Sequence, residues 1–140
     1  MRYAISVGGD LALGGGPWDV AVTGAATVEE VHRLRATGGV ATSGIHERLW
    51  RREDGSFAHH LLDPSTGEPA WTGLVAATAA GASALGAEVL AKTALLSGPA
   101  GARRVLRKGG GVLQHEDGRV EVVQRPGVVR LPRPSARAVA

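Results

Sequence analysis

Cysteine is absent from this 140-residue chain, which excludes disulfides and thiolate metal sites and removes the usual redox clue to compartment. Aromatic residues are scarce, one Phe, one Tyr and three Trp, so any core must be built by close packing of Val, Leu and Ala. No apolar run approaches the roughly 20 residues of a membrane-spanning helix, and no signal-peptide pattern precedes Tyr3. The expectation is a soluble, cytoplasmic chain with no membrane span. Acidic residues are missing after Glu121, whereas Arg125, Arg130, Arg133 and Arg137 all lie beyond it. Without those four arginines, 12 basic side chains stand against 13 acidic ones. The net charge of +3 therefore belongs to a tail, residues 125–140, whose three prolines and lack of apolar period predict disorder. With no aromatics interleaved among these cations, a nucleic-acid partner is not expected.

What remains, residues 1–124, suits one domain. Arg2 to Val7 alternates as a strand, with Tyr3, Ile5 and Val7 on one face, and stops at Gly8-Gly9. Gly14 to Pro17 reads as a loop before a second strand, Trp18 to Val22. Thr27-Val28-Glu29-Glu30 has the capping-box pattern and predicts a helix to about Ala36, closed by Gly38-Gly39, on which His32 is an exposed polar residue. Leu74 to Ala79 reads as a small-residue strand, Ala82 to Leu96 as the longest helix, and Ala100 to Lys108 as a second. Asp117-Gly118 then turns a hairpin between Val112–Glu116 and Arg119–Gln124. Hairpin signals outnumber crossover helices, so the predicted class is α+β with a mainly antiparallel sheet and packed helices.

The densest chemistry lies between Gly38 and Gly67. Ala41-Thr42-Ser43-Gly44 sets two hydroxyls among glycines, where backbone can approach a ligand closely. His60-Leu61-Leu62-Asp63-Pro64-Ser65-Thr66-Gly67 runs an apolar pair into a turn opened by Asp-Pro and closed by Gly. Between them, Arg48–Arg52 and Phe57–Leu62 read as strands around Asp54-Gly55, a hairpin that returns the two polar ends toward one another. His46 and His59 have weaker claims than His60; His59 and His60 point to opposite faces of such a strand, so at most one faces the site, and spacing alone does not say which.

These motifs, with Val7-Gly8-Gly9-Asp10 upstream, resemble those of the ApbE flavin transferases. That family has a Gly-Gly-Asp loop, a glycine-flanked Ala-Thr-Ser-Gly and a His-x-x-Asp-Pro-x-Thr-Gly turn in this order, and an Ala-rich helix after them. The resemblance covers roughly residues 3–98 and implies an ApbE-like, T-fold-like partial domain, the C-terminal part of a longer family member. The implied activity is transfer of FMN from FAD to a Thr or Ser hydroxyl of an acceptor protein, with AMP released. It also implies FAD binding by Gly8, Gly9, Asp10, Ala41, Thr42, Ser43, Gly44, Asp63 and Thr66, and His60 as the catalytic side chain. Family members use a magnesium ion held by an Asp and a Thr four residues apart on the helix. Counting back from Gly98 places Glu88 on the Asp position and Lys92 on the Thr position, with Thr93 a quarter-turn away. Glu can ligate magnesium, but a protonated Lys cannot. At this spacing Glu88 and Lys92 also form an ordinary helical ion pair. Two function classes follow: a flavin transferase, or a non-catalytic flavin-nucleotide-binding or interaction module derived from one.

Overall fold

The computed structural model describes residues 1–126. The polar tail expected from residue 125 lies almost wholly outside them. The class is α+β. Six strands form one antiparallel sheet in the order β1-β2-β3-β6-β7-β8, and β4 pairs with β5 in a separate two-stranded sheet. The strands are β1 Tyr3–Val7, β2 Asp10–Thr23, β3 Glu30–Gly44, β4 Leu49–Arg51, β5 Phe57–His59, β6 Leu74–Gly81, β7 Gly111–His115 and β8 Val120–Val123. Two helices, α1 Ala84–Leu96 and α2 Gly98–Leu106, separate β6 from β7.

The helix expected over residues 27–36 is not formed; that segment leads into β3. Thr27 belongs to the β2–β3 turn, where its N–H bonds the Gly24 carbonyl, and Gly24 N–H bonds the Glu29 carbonyl. Beyond it, His32, Leu34 and Ala36 turn inward while Arg33, Arg35 and Thr37 stay exposed. That two-residue alternation is a strand signal that outweighs the capping box. The expected loop at residues 14–17 is likewise a bulge inside one long strand, with the register shifting between Leu13 and Trp18. Gly15 and Gly16 take positive φ there, and Pro17 is tolerated because the ladder is already broken.

Beyond the bulge, β2 and β3 continue as an arm that folds over one face of the sheet. Its tip is tied to β7 by Gln114, whose amide donates to the Thr23 carbonyl at 2.9 Å and accepts from the Ala25 N–H at 2.6 Å. Leu13, Ala36, Val40 and Ala80, with Leu11, Trp18, Val20 and Leu34 against them, fill the space beneath the arm.

The opposite face carries α1, capped by Ser83, whose hydroxyl accepts the Gly86 N–H at 3.0 Å. Ala87, Ala91 and Ala94 are fully buried against the sheet. Gly39 and Gly81 make the approach possible, because a Cβ on Gly81 would sit 2.7 Å from the Ala87 nitrogen and one on Gly39 would overlap the backbone of Ser83 and Ala84. Ile45, Leu61, Leu74, Leu95, Leu106 and Leu113 complete this main core.

Candidate functional site

Gly8 and Gly9 form the two-residue turn between β1 and β2, with Val7 paired to Asp10. Their φ angles of 59° and 95° are those of a type I′ turn, and this is why glycine occupies both places. The turn delivers Asp10 to the α1 face of the sheet, in the field of Glu88 and Lys92 and within hydrogen-bond reach of the Thr42 N–H. Burial and the neighbouring Glu88 charge push the Asp10 carboxyl upward from its ordinary value, while the Thr42 N–H and Lys92 oppose them. Two sequence-distant motifs, Gly8-Gly9-Asp10 and Ala41 to Gly44, thus meet α1 in one place.

The Ala41–Gly44 segment is divided by the pleat. Ala41 and Ser43 pair with Ala79 and Ala77, face α1 and are buried. Thr42 pairs with Thr78 and faces the other way, their hydroxyls 2.8 Å apart. Those hydroxyls line a groove of about 250 Å³ between the sheet and the arm, which Gly8, Gly9, Gly44 and Gln114 also border. The expected binding residues therefore serve two faces of the sheet: Ala41 and Ser43 share the Asp10 side, whereas Thr42 reaches it only through its backbone.

At the far end of α1, the 60–73 segment is held by Leu61 in the core and by the Thr72 hydroxyl donating to the Leu95 carbonyl at 2.8 Å. Strand β5 ends at His59 rather than continuing to Leu62. His59 and His60 do point opposite ways: His59 is buried and His60 exposed. Asp63, expected to bind the nucleotide, also builds its own turn, its Oδ1 accepting the Ser65 N–H at 2.8 Å and the Ser65 hydroxyl at 2.6 Å. These bonds hold its carboxyl below the ordinary value. Thr66 is used similarly, its hydroxyl accepting the Glu68 N–H at 3.2 Å. The turn does not hold the His60 ring, to which the described residues supply no hydrogen-bond partner. Residue-level reasoning gave His59 a weaker claim than His60 and did not foresee its burial. Its ring lies edge-on to Trp71 with centroids 4.5 Å apart, its Nδ1 accepts the Leu61 N–H at 3.3 Å, and its buried Nε2, near the Ala70 backbone, makes no hydrogen bond of ordinary geometry among the described residues. It also missed Gln114, for which an amide in the otherwise apolar run Val112-Leu113 was the available sign.

The sequence profile of the ApbE family matches residues 1–114. The chain belongs to the ApbE family. The FAD:protein FMN transferases of Escherichia coli K12 and Klebsiella pneumoniae 342 are each 32% identical to it over 78% of its length, which is 33% of theirs. The chain spans about a third of the length of these curated relatives. The fold agrees. An ApbE protein from Thermotoga maritima superposes with a TM-score of 0.74 at 27% identity, over 88% of this chain and 43% of that one. The Pseudomonas stutzeri flavinyl transferase ApbE, in its apo form, superposes at 0.68 and 25% identity over 88% and 42%.

Magnesium, implied by the resemblance, is not matched by the donors present in this ApbE-family chain. Glu88, the expected ligand, already holds the Lys92 ammonium, Nζ to Oε1 at 2.7 Å. Lys92 has no lone pair to offer while protonated. Among the described residues, no group of three or more His, Cys, Asp or Glu is placed to hold a metal ion. Nor is any described helix long and apolar enough to cross a membrane.

Proposed function

We propose that this chain carries the flavin-nucleotide part of an FAD:protein FMN transferase site, using FAD as substrate and a Thr or Ser hydroxyl of an acceptor flavoprotein as the attacking group. The observation that carries the reading is that Asp10, beside the Gly8-Gly9 turn and against the Thr42 backbone, lies within electrostatic range of the Glu88–Lys92 ion pair on α1. In the reaction, the acceptor oxygen bonds to the phosphorus on the FMN side of the pyrophosphate. The bond from that phosphorus to the bridging oxygen breaks, and AMP leaves with that oxygen.

The chain's own groups then have three tasks. Glycines at Gly8, Gly9 and Gly44 let backbone approach the nucleotide, and the Thr42 and Ser43 region supplies donors to it. His60, exposed and without a hydrogen-bond partner among the described residues, takes the proton of the acceptor hydroxyl on a ring nitrogen. Ala41, Asp63 and Thr66 support these contacts through the backbone and the turn they build, rather than by side-chain bonds of their own. Co-incubation with FAD and an acceptor protein tests the reading: covalent FMN on the acceptor supports it, and unmodified acceptor refutes it. The second reading, a binding or interaction module without transfer, is favoured by the Glu88–Lys92 pair standing at the expected metal ligands. Saturable FAD binding with no covalent product is its signature.

A further inference from the structure

We propose that Lys92 is the resident cation of this site, taking the place of a divalent metal ion beside the nucleotide's pyrophosphate. The inference rests on the flavin-nucleotide reading above and concerns the charge balance of that same site. Two carboxylates, Asp10 from the end of the β1–β2 turn and Glu88 from the middle of α1, feel one another's charge on the α1 face of the sheet. Left alone, such a pair repels a pyrophosphate and attracts a cation. Lys92, one turn beyond Glu88, supplies that cation covalently: its ammonium rests 2.7 Å from Glu88 Oε1 and within the field of Asp10. Its side chain is 49% exposed and that of Glu88 31%, so the ammonium can turn from the carboxylate to a phosphate oxygen without leaving the site.

A divalent ion placed between these carboxylates would meet the ammonium directly and lose a ligand position to a group that cannot ligate. A fixed single charge gives a weaker hold on developing phosphate charge than a Lewis acid does. The site thus favours nucleotide binding that ignores magnesium. The bland alternative is a surface ion pair with no part in binding.

The test is titration of FAD into the parent protein and into Lys92→Thr and Lys92→Arg variants, each with EDTA and with excess Mg²⁺, followed by flavin fluorescence. The position is half exposed, so neither substitution disturbs the fold. Parent and Lys92→Arg bind FAD equally in both conditions. Lys92→Thr loses about tenfold in EDTA, the scale of one charge-assisted contact, and recovers when Mg²⁺ is added. A parent that needs magnesium, or a Lys92→Thr protein whose affinity matches the parent in both conditions, overturns the proposal and leaves the flavin-nucleotide reading standing. Failure of the parent to bind FAD in either condition overturns that reading, and this one with it.

Discussion

At the scale of single residues, the two adjacent histidines differ in exposure. His60 is exposed and is the histidine proposed above as the base. Its replacement by Ala should slow transfer by roughly 10²-fold or more, the range of a positioned acid or base, while FAD affinity measured by titration changes little. An unchanged transfer rate would remove His60 from the chemistry. His59 has the structural role. Burial pushes its imidazole below the ordinary 6.5, so the folded state resists a proton that the unfolded chain accepts. Above pH 6.5 neither state is protonated and stability is unaffected; below it the unfolded state takes up the proton first, and stability falls until the depressed folded value is reached. Urea unfolding at a series of pH values should show this loss on the acid side of neutrality. His59→Phe, which keeps the contact with Trp71, should flatten it, and an unaltered acid slope would contradict the assignment. The pairing of an inward and an outward histidine was legible from strand alternation, but which one was buried was not. That depends on where β5 ends and on Trp71 folding back against it, a contact made 12 residues away.

At the scale of elements, the alanine and glycine seam between α1 and the sheet decides where Glu88 and Lys92 stand. Gly81→Ala sets a Cβ against the Ala87 backbone, and overpacking of this kind costs roughly 1–3 kcal/mol. Chemical denaturation should show that loss; a neutral result would mean that α1 can lift away freely. The β2–β3 arm depends on a different device. Gln114→Ala removes both bonds that fasten its tip, and hydrogen exchange of the Val20–Thr23 amides should quicken while α1 stays protected. The sheet was legible wherever a local turn signal announced it. Asp54-Gly55 and Asp117-Gly118 both turn hairpins, each with Asp bonding the backbone N–H two residues on and Gly at positive φ. The arm was not legible. Thr27 to Glu30 imitates a helix start, the Gly14–Pro17 bulge imitates a loop, and Gln114 joins the arm across a sequence separation of 91. Helix α1 was read nearly to its ends because Ser83 and the Ser97-Gly98-Pro99 break lie beside it in the chain.

At the scale of the whole molecule, the described residues form a six-stranded antiparallel sheet with two helices packed together on one face and its own arm folded over the other, and a separate β4–β5 hairpin. The motif positions were legible in order, yet the pleat separates Thr42 from Ala41 and Ser43, so a site drawn from the sequence as one cluster is spread over two faces. Asp10, Glu88 and Lys92 gather on the helix face, and that gathering is the physical basis for assigning a nucleotide site there. The most direct measurement is the affinity of the purified chain for FAD compared with FMN and AMP, with Asp10→Ala and Lys92→Thr proteins alongside. The account predicts saturable FAD binding that is tighter than binding of either half, because only FAD offers a pyrophosphate to this cluster, and loss of that preference when Lys92 is replaced. Absence of FAD binding up to about 1 mM, the upper end of ordinary substrate affinities, or equal affinity for FAD and FMN in parent and variants alike, would contradict it.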